Sequence, residues 1–184
     1  MKKLLFITAI LGFTSIGCSD FDRRTQFNMT YTNRVVLDST NTKPGLKHDI
    51  TSDTLKVDFI GLVRDHNSTE NGIESVKMVG LSVEIDKKKS PDRGNFDFVR
   101  DMEIFIQGKG MDEFLLGNVD SVPLGRIRYF EIKVIPSEED LTDFVKTEEF
   151  VCRMKYTTNK PVLDSAVVVK ITPTYLVDTK KFGV

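Results

Sequence analysis

The amino-acid sequence predicts an all-β protein, an antiparallel β-sandwich of about eight strands with one short helix near residues 138–146. Three observations support this fold class. Apolar and polar residues alternate with a period of two over most of the chain, which is the pattern of half-buried strands. Turn-forming residues recur at fairly even intervals, as in all-β sandwiches. The chain also lacks the alternation of strands and helices that a doubly wound α/β fold requires.

The first half of the body predicts three strands separated by polar loops. The first strand begins at Phe27, which shares one face with Met29 and Tyr31. Pro44-Gly45 and the small polar residues around it are typical of a loop. The expected ranges are a second strand over about 53–63, a third over about 74–86, and loops over 38–52 and 65–72.

The second half of the body predicts five further strands. Residues 87–95 form the most hydrophilic stretch of the chain and separate the two halves. Pro173 lies in the last strand and, because proline donates no backbone hydrogen bond, it predicts an edge position or a bulge there. The expected strands cover about 100–107, 114–118, 127–135, 150–156 and 164–178.

A short helix is expected after Pro136, which ends the preceding strand. Ser137 is a candidate N-cap, and Glu138-Glu139-Asp140 places acidic residues in the first turn, where the helix dipole favours them. The apolar stripe and the last helical residue are Leu141, Phe144, Val145 and Lys146.

The sequence favours one sandwich domain over residues 26–184, preceded by segment 1–17 and by a short, mostly polar tether over residues 18–25. Two small sandwiches in tandem, divided at 87–96, are the alternative. The first of these would have only about three strands, too few to bury both faces of a sandwich.

The first 18 residues have the pattern of a secretory signal. Met1-Lys2-Lys3 is a short cationic start, Leu4 to Phe13 is mostly apolar, and small residues then lead to Cys18. The apolar run is roughly half as long as a membrane-spanning helix requires. Because this order of features is that of a signal peptide, residues 1–17 are expected to be removed.

Ser15-Ile16-Gly17-Cys18 resembles the lipobox of bacterial lipoproteins, with Ser15 where that family usually has leucine. The resemblance implies that Cys18 is the lipid attachment residue and that its acyl chains, such as palmitate, anchor the protein in the membrane. Cys18-Ser19-Asp20-Phe21-Asp22 also resembles the surface-export signal of Bacteroidetes lipoproteins, which implies display at the outer membrane. A plain secretory signal that leaves Cys18 as an ordinary thiol is the alternative.

The C-terminal half resembles the ending of uncharacterised Bacteroidetes β-sandwich lipoproteins. The resemblance rests on Asp140 to Lys146, on Phe150 to Tyr156, and on Pro161 and Asp164 before the last strand. Because those proteins have no settled activity, the resemblance implies only the fold and the compartment.

Composition argues against nucleic-acid binding and against a disulfide. Beyond residues 1–17, 24 lysine and arginine residues oppose 27 aspartate and glutamate residues, a net charge of −3, whereas nucleic-acid binding requires a strongly basic face. The chain has two cysteines, so acylation of Cys18 leaves Cys152 without a partner. Cys152 shares one strand face with apolar residues, which predicts a small buried hydrophobe.

The other residue types that carry chemistry are expected to have structural roles. His48 and His66 lie in polar loops, without the partners of a hydrolytic triad or the spacing of a zinc site. Two groups of carboxylates are explained by exposed strand faces and helix capping, with loose calcium binding as the alternative. These groups are Asp97, Asp101 and Glu103, and Glu138, Glu139, Asp140 and Asp143. We therefore assign no catalytic residue, metal ligand or cofactor.

The sequence favours a non-catalytic, lipid-anchored module of the cell envelope that binds a protein or a surface ligand or has a structural role. Its expected contact surface is formed by loops 38–52, 65–72 and 87–96. A glycan-binding accessory lipoprotein of a polysaccharide uptake system and an envelope hydrolase are the alternatives. The chain has no tryptophan, which disfavours a stacking surface for sugars, although Tyr129 and Phe182 are candidates for exposure.

Overall fold

The computed structural model describes residues 26–37, 43–90, 95–123, 125–134, 140–160 and 166–180. Residues 1–25, with Cys18 and the proposed tether, lie outside these ranges, as do residues 135–139 and 161–165 and Phe182. The strands in the described part are β1 (Gln26–Thr30), β2 (Asn33–Leu37), β3 (Lys47–Thr51), β4 (Leu55–Lys56), β5 (Ile73–Ile85), β6 (Val99–Gly108), β7 (Glu113–Val119), β8 (Tyr129–Glu131), β9 (Glu149–Thr158) and β10 (Val167–Thr179). Its helical segments are α1 (Phe59–Asp65), α2 (Thr142–Val145) and a 3-10 turn (Glu70–Gly72).

The described strands form two antiparallel sheets. Sheet A has the order β1-β10-β5-β8, and β2 pairs with β10 beside β1. Sheet B has the order β3-β9-β6-β7, and β4 pairs with β9 beside β3. The inward side chains of both sheets pack in one apolar core. The predicted all-β sandwich is therefore confirmed.

Each sheet combines strands from before and after residues 87–96. In sheet A, β10 pairs with β1, β2 and β5. In sheet B, β9 pairs with β3 and β4 on one side and with β6 on the other. The described part of the body is therefore one sandwich and is not divided at that hydrophilic stretch.

Burial alternates from residue to residue along the long strands, as the period-two pattern predicts. In β10 every second residue from Val167 to Thr179 is buried, and the residues between them are partly exposed. β6 and β9 follow the same pattern over most of their lengths. A shift of one residue would turn each of these apolar faces outward, so the buried core holds the register.

The predicted strand over 53–63 is wrong, because this segment contains the two-residue strand β4 followed by α1. Asp58 caps the helix, with its Oδ1 accepting a hydrogen bond from the Gly61 amide at 2.7 Å. Phe59 and Val63 are one helical turn apart and are both buried. The segment also fits a period of two, through Leu55, Val57 and Phe59. A pattern this short therefore does not distinguish a strand from a helix.

The predicted loop over 38–52 is also partly wrong, because Lys47–Thr51 forms β3 and pairs with β9. Its inward residues are His48 and Ile50. Of these two, Ile50 is apolar and His48 is not, so the sequence shows little of the alternation that is typical of a strand. The segment predicted as a strand over 127–135 is shorter, with β8 covering Tyr129–Glu131. Beyond it, Val134 forms an isolated bridge with Gly117 of sheet B, so the chain leaves sheet A after β8.

The predicted helix near 138–146 is present in part, as α2 over Thr142–Val145. The expected N-cap Ser137 and residues 138 and 139 lie outside the described ranges, and Asp140 and Leu141 precede the helix. Asp140 holds the start of this helix. Its Oδ1 accepts hydrogen bonds from the Thr142 amide at 3.0 Å, from Thr142 Oγ1 at 2.6 Å and from the Val76 amide at 2.9 Å. The same carboxylate therefore binds Thr142, the first residue of α2, and attaches it to β5.

Pro173 lies in a central strand, so the predicted edge position is wrong. Its carbonyl accepts a hydrogen bond from the Tyr31 amide at 3.5 Å, so the polar edge of Pro173 faces the bend between β1 and β2. Because β1 ends at Thr30 and β2 begins at Asn33, the missing N–H of proline faces a break in the neighbouring strand. The pairing of β10 with β5 shifts register between Thr174 and Tyr175, one residue after Pro173. This irregularity lies close to the bulge that was predicted as the alternative to an edge position.

Gly117 lets the edge of sheet B approach the segment that leaves sheet A. A register shift in the β6–β7 pair places the fully buried Leu116 beside it. A Cβ atom on Gly117 would lie 2.9 Å from Ile132 Cγ2 and 3.1 Å from the Lys133 carbonyl oxygen. Glycine at this position therefore allows the bridge to Val134 that closes one side of the sandwich.

We expect Gly117→Ala to lower the free energy of unfolding by about 1–3 kcal/mol, because the added methyl group overpacks this contact. Urea unfolding followed by circular dichroism measures the change. Gly80→Ala is the matched control, since a Cβ atom there would meet Thr174 Cβ at an ordinary 3.4 Å, and its stability should stay the same or rise by up to about 1 kcal/mol. Equal losses in both variants would contradict the close approach at Gly117.

Candidate functional site

Cys152 lies between the sheets on β9, and its predicted burial is confirmed. Its side chain is 0% exposed, and burial raises the pKa of the thiol to about 12. Because the thiolate is the reactive form of cysteine, both properties oppose chemistry at this sulfur. Cys18, the predicted lipid attachment residue, lies outside the described residues.

In a Cys18→Ala protein, Cys152 is the remaining thiol of the two that the chain contains. We expect an Ellman reagent at about pH 8 to modify it at least about 100-fold more slowly in the folded protein than in urea, because the thiol is both buried and protonated. The reaction in urea serves as the control and should reach one equivalent. Equally fast modification under the two conditions would show that Cys152 is accessible.

The two histidines occupy different environments, and the prediction of a solvated loop residue is wrong for His48. Its ring lies 5.0 Å from the ring of Tyr156, and its Nε2 is buried without a hydrogen-bond partner in the described part of the chain. His66 is exposed in the turn after α1, as predicted. Its ring stacks on Phe27 with the centroids 3.8 Å apart, and its Nδ1 lies 2.9 Å from the Leu62 carbonyl oxygen.

The carboxylates predicted on β6 lie on the outer face of sheet B, each beside a cation. Asp101 Oδ2 accepts a hydrogen bond from Arg100 Nε at 2.8 Å, and Glu103 Oε2 accepts one from Lys47 Nζ at 2.8 Å. Burial by itself raises the pKa of Asp101, but the hydrogen bonds from Thr157 and Arg100 outweigh it and lower that pKa. A general acid at neutral pH requires a raised pKa, so the surroundings of Asp101 act in the opposite direction.

Of the remaining predicted carboxylates, Asp97 and Asp140 are also held by protein groups, whereas Asp143 is exposed on α2 and Glu138 and Glu139 lie outside the described residues. Asp97, in the turn before β6, accepts a hydrogen bond from Lys160 Nζ at 3.1 Å. For Asp140, burial raises the pKa, but the hydrogen bonds from Thr142 and Val76 lower it below the usual value. Within the described ranges, no group of three or more His, Cys, Asp or Glu residues is arranged to hold a metal ion. No helix in these ranges is both long and apolar enough to cross a membrane.

Asp86 attaches the turn after β5 to the edge of sheet A. Its side chain is 6% exposed, and its Oδ2 lies 3.5 Å from Arg34 Nε and 4.0 Å from Lys170 Nζ. Its Oδ1 accepts a hydrogen bond from the Lys88 amide at 3.0 Å. Burial alone raises the pKa of Asp86, but the Lys88 amide, Lys170 and Arg34 together hold it below the usual value.

Because the pKa of Asp86 is lower in the folded than in the unfolded chain, its charged form stabilises the fold above about pH 4, and this contribution is lost as the pH falls through the folded pKa. We expect Asp86→Asn to be less stable at neutral pH and to lose less stability than the wild type on acidification. Unfolding free energies measured between about pH 3 and pH 7 test this. The exposed Asp112→Asn is the control, and a pH profile of Asp86→Asn parallel to the wild type would contradict the assignment.

The outer face of sheet B is dominated by ion pairs within the sheet. Arg153 donates from Nε to Glu113 Oε1 at 2.5 Å and from Nη1 to Asp49 Oδ2 at 3.0 Å, which joins β9 to β7 and β3. The Arg153 guanidinium lies 4.9 Å from the ring centroid of Phe105, and Lys155 Nζ lies 4.7 Å from it. Arg153 is therefore bound by carboxylates and by an aromatic ring of the same sheet, which favours a structural role for this face.

The outer face of sheet A carries an ion pair between Lys170 and Glu84 and, beside it, an area of small hydroxyl side chains. The strand register places residues of β1, β10, β5 and β8 in rows across the sheet. Thr32 Oγ1 of the β1–β2 bend lies 3.1 Å from Thr172 Oγ1, so the hydroxyl surface continues past β10. One row contains Thr30, Thr174 and Gly80, and the next contains Thr172, Ser82 and Glu131.

A groove of about 360 Å³ opens on this face between β5, β8 and β10. Tyr129 stands at its edge with 52% of its surface exposed, which confirms the predicted exposure. The Tyr129 hydroxyl donates a hydrogen bond to Glu131 Oε1 at 3.1 Å. Gly80 has no side chain on the groove floor, and the neighbouring Val79 is 51% exposed at the register shift of β5. The groove therefore combines an aromatic ring, a carboxylate and hydroxyl groups.

Sequence reasoning did not identify this groove, because its residues come from three strands that are distant along the chain. The one local signal is the spacing of Tyr129 and Glu131, two residues apart, which places both on one face of a strand. Gly80, Ser82 and Thr174 join them only through the register of β5 with β8 and β10.

No protein-family model matches the chain, and no curated protein matches it. Among solved structures, a chain of Desmodium yellow mottle tymovirus aligns with 8% sequence identity and a TM-score of 0.26. The alignment covers 86% of this chain and 91% of that chain. A TM-score this low supports no inference about the fold or the function.

Proposed function

We propose that this chain is a non-catalytic lipoprotein of the cell envelope, anchored in the outer membrane through acyl chains on Cys18, whose sandwich is a binding or structural module for a protein or surface ligand. The observation that carries the proposal is the order of residues at the start of the chain. A cationic start and an apolar run lead to Ser15-Ile16-Gly17-Cys18. One acyl chain binds a membrane only marginally, whereas the two or three of a lipoprotein cysteine anchor it stably.

The distance from Cys18 to the sandwich fits this arrangement. β1 begins at Gln26, eight residues after Cys18. A chain of this length spans at most about 29 Å, so an acylated Cys18 keeps the domain close to the membrane. Gln26 pairs with Asp178 of β10, and we assign this end of sheet A to the side that faces the membrane.

The surroundings of the reactive groups support a role without catalysis. Cys152 is buried with a raised pKa, which removes the nucleophilic form of the thiol. Asp101 and Asp140 have lowered pKa values because they accept hydrogen bonds from neighbouring protein groups. Each of these groups therefore has a structural use in the sandwich.

We expect Cys18→Ala to abolish labelling by radioactive palmitate and to move the protein from the membrane fraction to the soluble fraction, because the acylated sulfur is removed. Cell fractionation in a bacterium with the lipoprotein pathway measures both. Cys152→Ala is the matched control and should keep the label and the membrane location. A Cys18→Ala protein that still sediments with membranes, together with a wild type that takes up no palmitate, would overturn the proposal.

A further inference from the structure

We infer that the groove on the outer face of sheet A binds one pyranose ring of a neutral polysaccharide, with Tyr129 as the stacking surface and Glu131 as a hydrogen-bond acceptor. The inference rests on the proposed function, because it names a ligand class for the binding module. It depends on three properties of the groove: an exposed ring, a carboxylate held beside it, and the small residues Gly80, Ser82 and Thr174 in its lining.

The ring of Tyr129 supplies the apolar part of the site. Among the described residues, the large hydrophobic side chains with high exposure are Val36, Leu46, Val79 and Tyr129. Tyr129 is the aromatic member of this set, and it lies at the edge of the groove. A pyranose ring has a face of C–H groups with hydroxyls around its rim, and C–H groups carry partial positive charge. They therefore pack favourably on the negative face of an aromatic ring.

Glu131 supplies the directional part of the site. Its Oε1 accepts the hydrogen bond from the Tyr129 hydroxyl at 3.1 Å, which orients the ring and the carboxylate relative to each other. An ionised carboxylate has about four acceptor positions, so one bond to Tyr129 leaves capacity for the hydroxyls of a sugar. This pair thus places an acceptor beside the stacking surface, where the rim of a stacked pyranose lies.

The floor of the groove leaves space for the ring and adds hydrogen-bonding groups. Gly80 has no side chain, and Ser82 and Thr174 line the groove together with the aliphatic Ile132 and Val134. The hydroxyls of Ser82 and Thr174 can each donate and accept a hydrogen bond, as sugar hydroxyls do. The volume of about 360 Å³ lies at the lower end of the range for small-molecule sites. It suits a single ring of a chain that continues into solvent.

Charge favours a neutral sugar over an acidic one. Glu131 would repel a carboxylate or sulfate group on the ligand. Lys170, on the same face, is paired with Glu84, with Nζ and Oε2 3.4 Å apart. The larger groove beside α2 is a weaker candidate. Of its carboxylates, Asp140 is bound by the Thr142 amide and Glu113 is bound by Arg153.

Affinity electrophoresis of the full chain in detergent tests the inference, with native gels that contain amylopectin, arabinoxylan, galactomannan or mixed-linkage β-glucan, and with heparin as the acidic comparison. We expect at least one neutral polysaccharide to retard the wild type. Tyr129→Ala should reduce the affinity at least about 10-fold, and Glu131→Gln should reduce it less. Tyr129→Phe should retain most of the binding because it keeps the ring.

Val36→Ala is the matched control, since Val36 is 51% exposed on β2 of the same sheet face, and it should bind like the wild type. Unchanged circular dichroism and melting temperature would show that each variant is folded. Equal retardation of the wild type and Tyr129→Ala would overturn the groove assignment while leaving a binding module in place. Retardation by no neutral polysaccharide, or by heparin alone, would overturn the ligand class, whereas the fractionation of Cys18→Ala tests the anchoring separately.

Discussion

The sandwich depends on β10, because this strand brings the two ends of the described body into one sheet. Its first part pairs with β2 and its second part with β1, while its other edge pairs with β5. The pair formed by Gln26 and Asp178 joins residues 152 positions apart. Such pairing has a large loop-closure cost, which the burial of the apolar face of β10 offsets. The core and the outer face of sheet A are therefore complete only when the last strand is in place.

The two outer faces of the sandwich differ in how their polar groups are used. On sheet B, Arg153 joins three strands through Asp49 and Glu113, and these surface charges are engaged with one another. On sheet A, small hydroxyl side chains surround Gly80, and the aromatic ring of Tyr129 stands exposed beside them. An exposed ring next to hydroxyls and a carboxylate presents to solvent the mixture of groups that small-ligand sites use. This difference is the reason for placing the binding surface on sheet A.

The alternation of apolar and polar residues was sufficient to predict the longer strands, including β5, β6, β9 and β10, and the burial of Cys152 on β9. It failed where the pattern was short or carried by few residues. Phe59 fits both a strand pattern and the first turn of α1, and the capping by Asp58 decides for the helix. β3 has little apolar content and is a strand because β9 supplies its hydrogen-bonding partner. The inward position of His48 follows from that pairing.

The sequence by itself determined that the protein is an all-β sandwich and which side of each long strand is buried, because the period of two is a local property of the chain. It also contains the residue pattern that ends at Cys18, on which the proposed anchoring rests. The tertiary structure decided the register, the tolerance of Pro173 opposite a strand break, the close approach at Gly117 and the groove around Tyr129. These features arise from pairs of strands that are distant along the chain, and the relative position of two such strands is set by their packing in three dimensions.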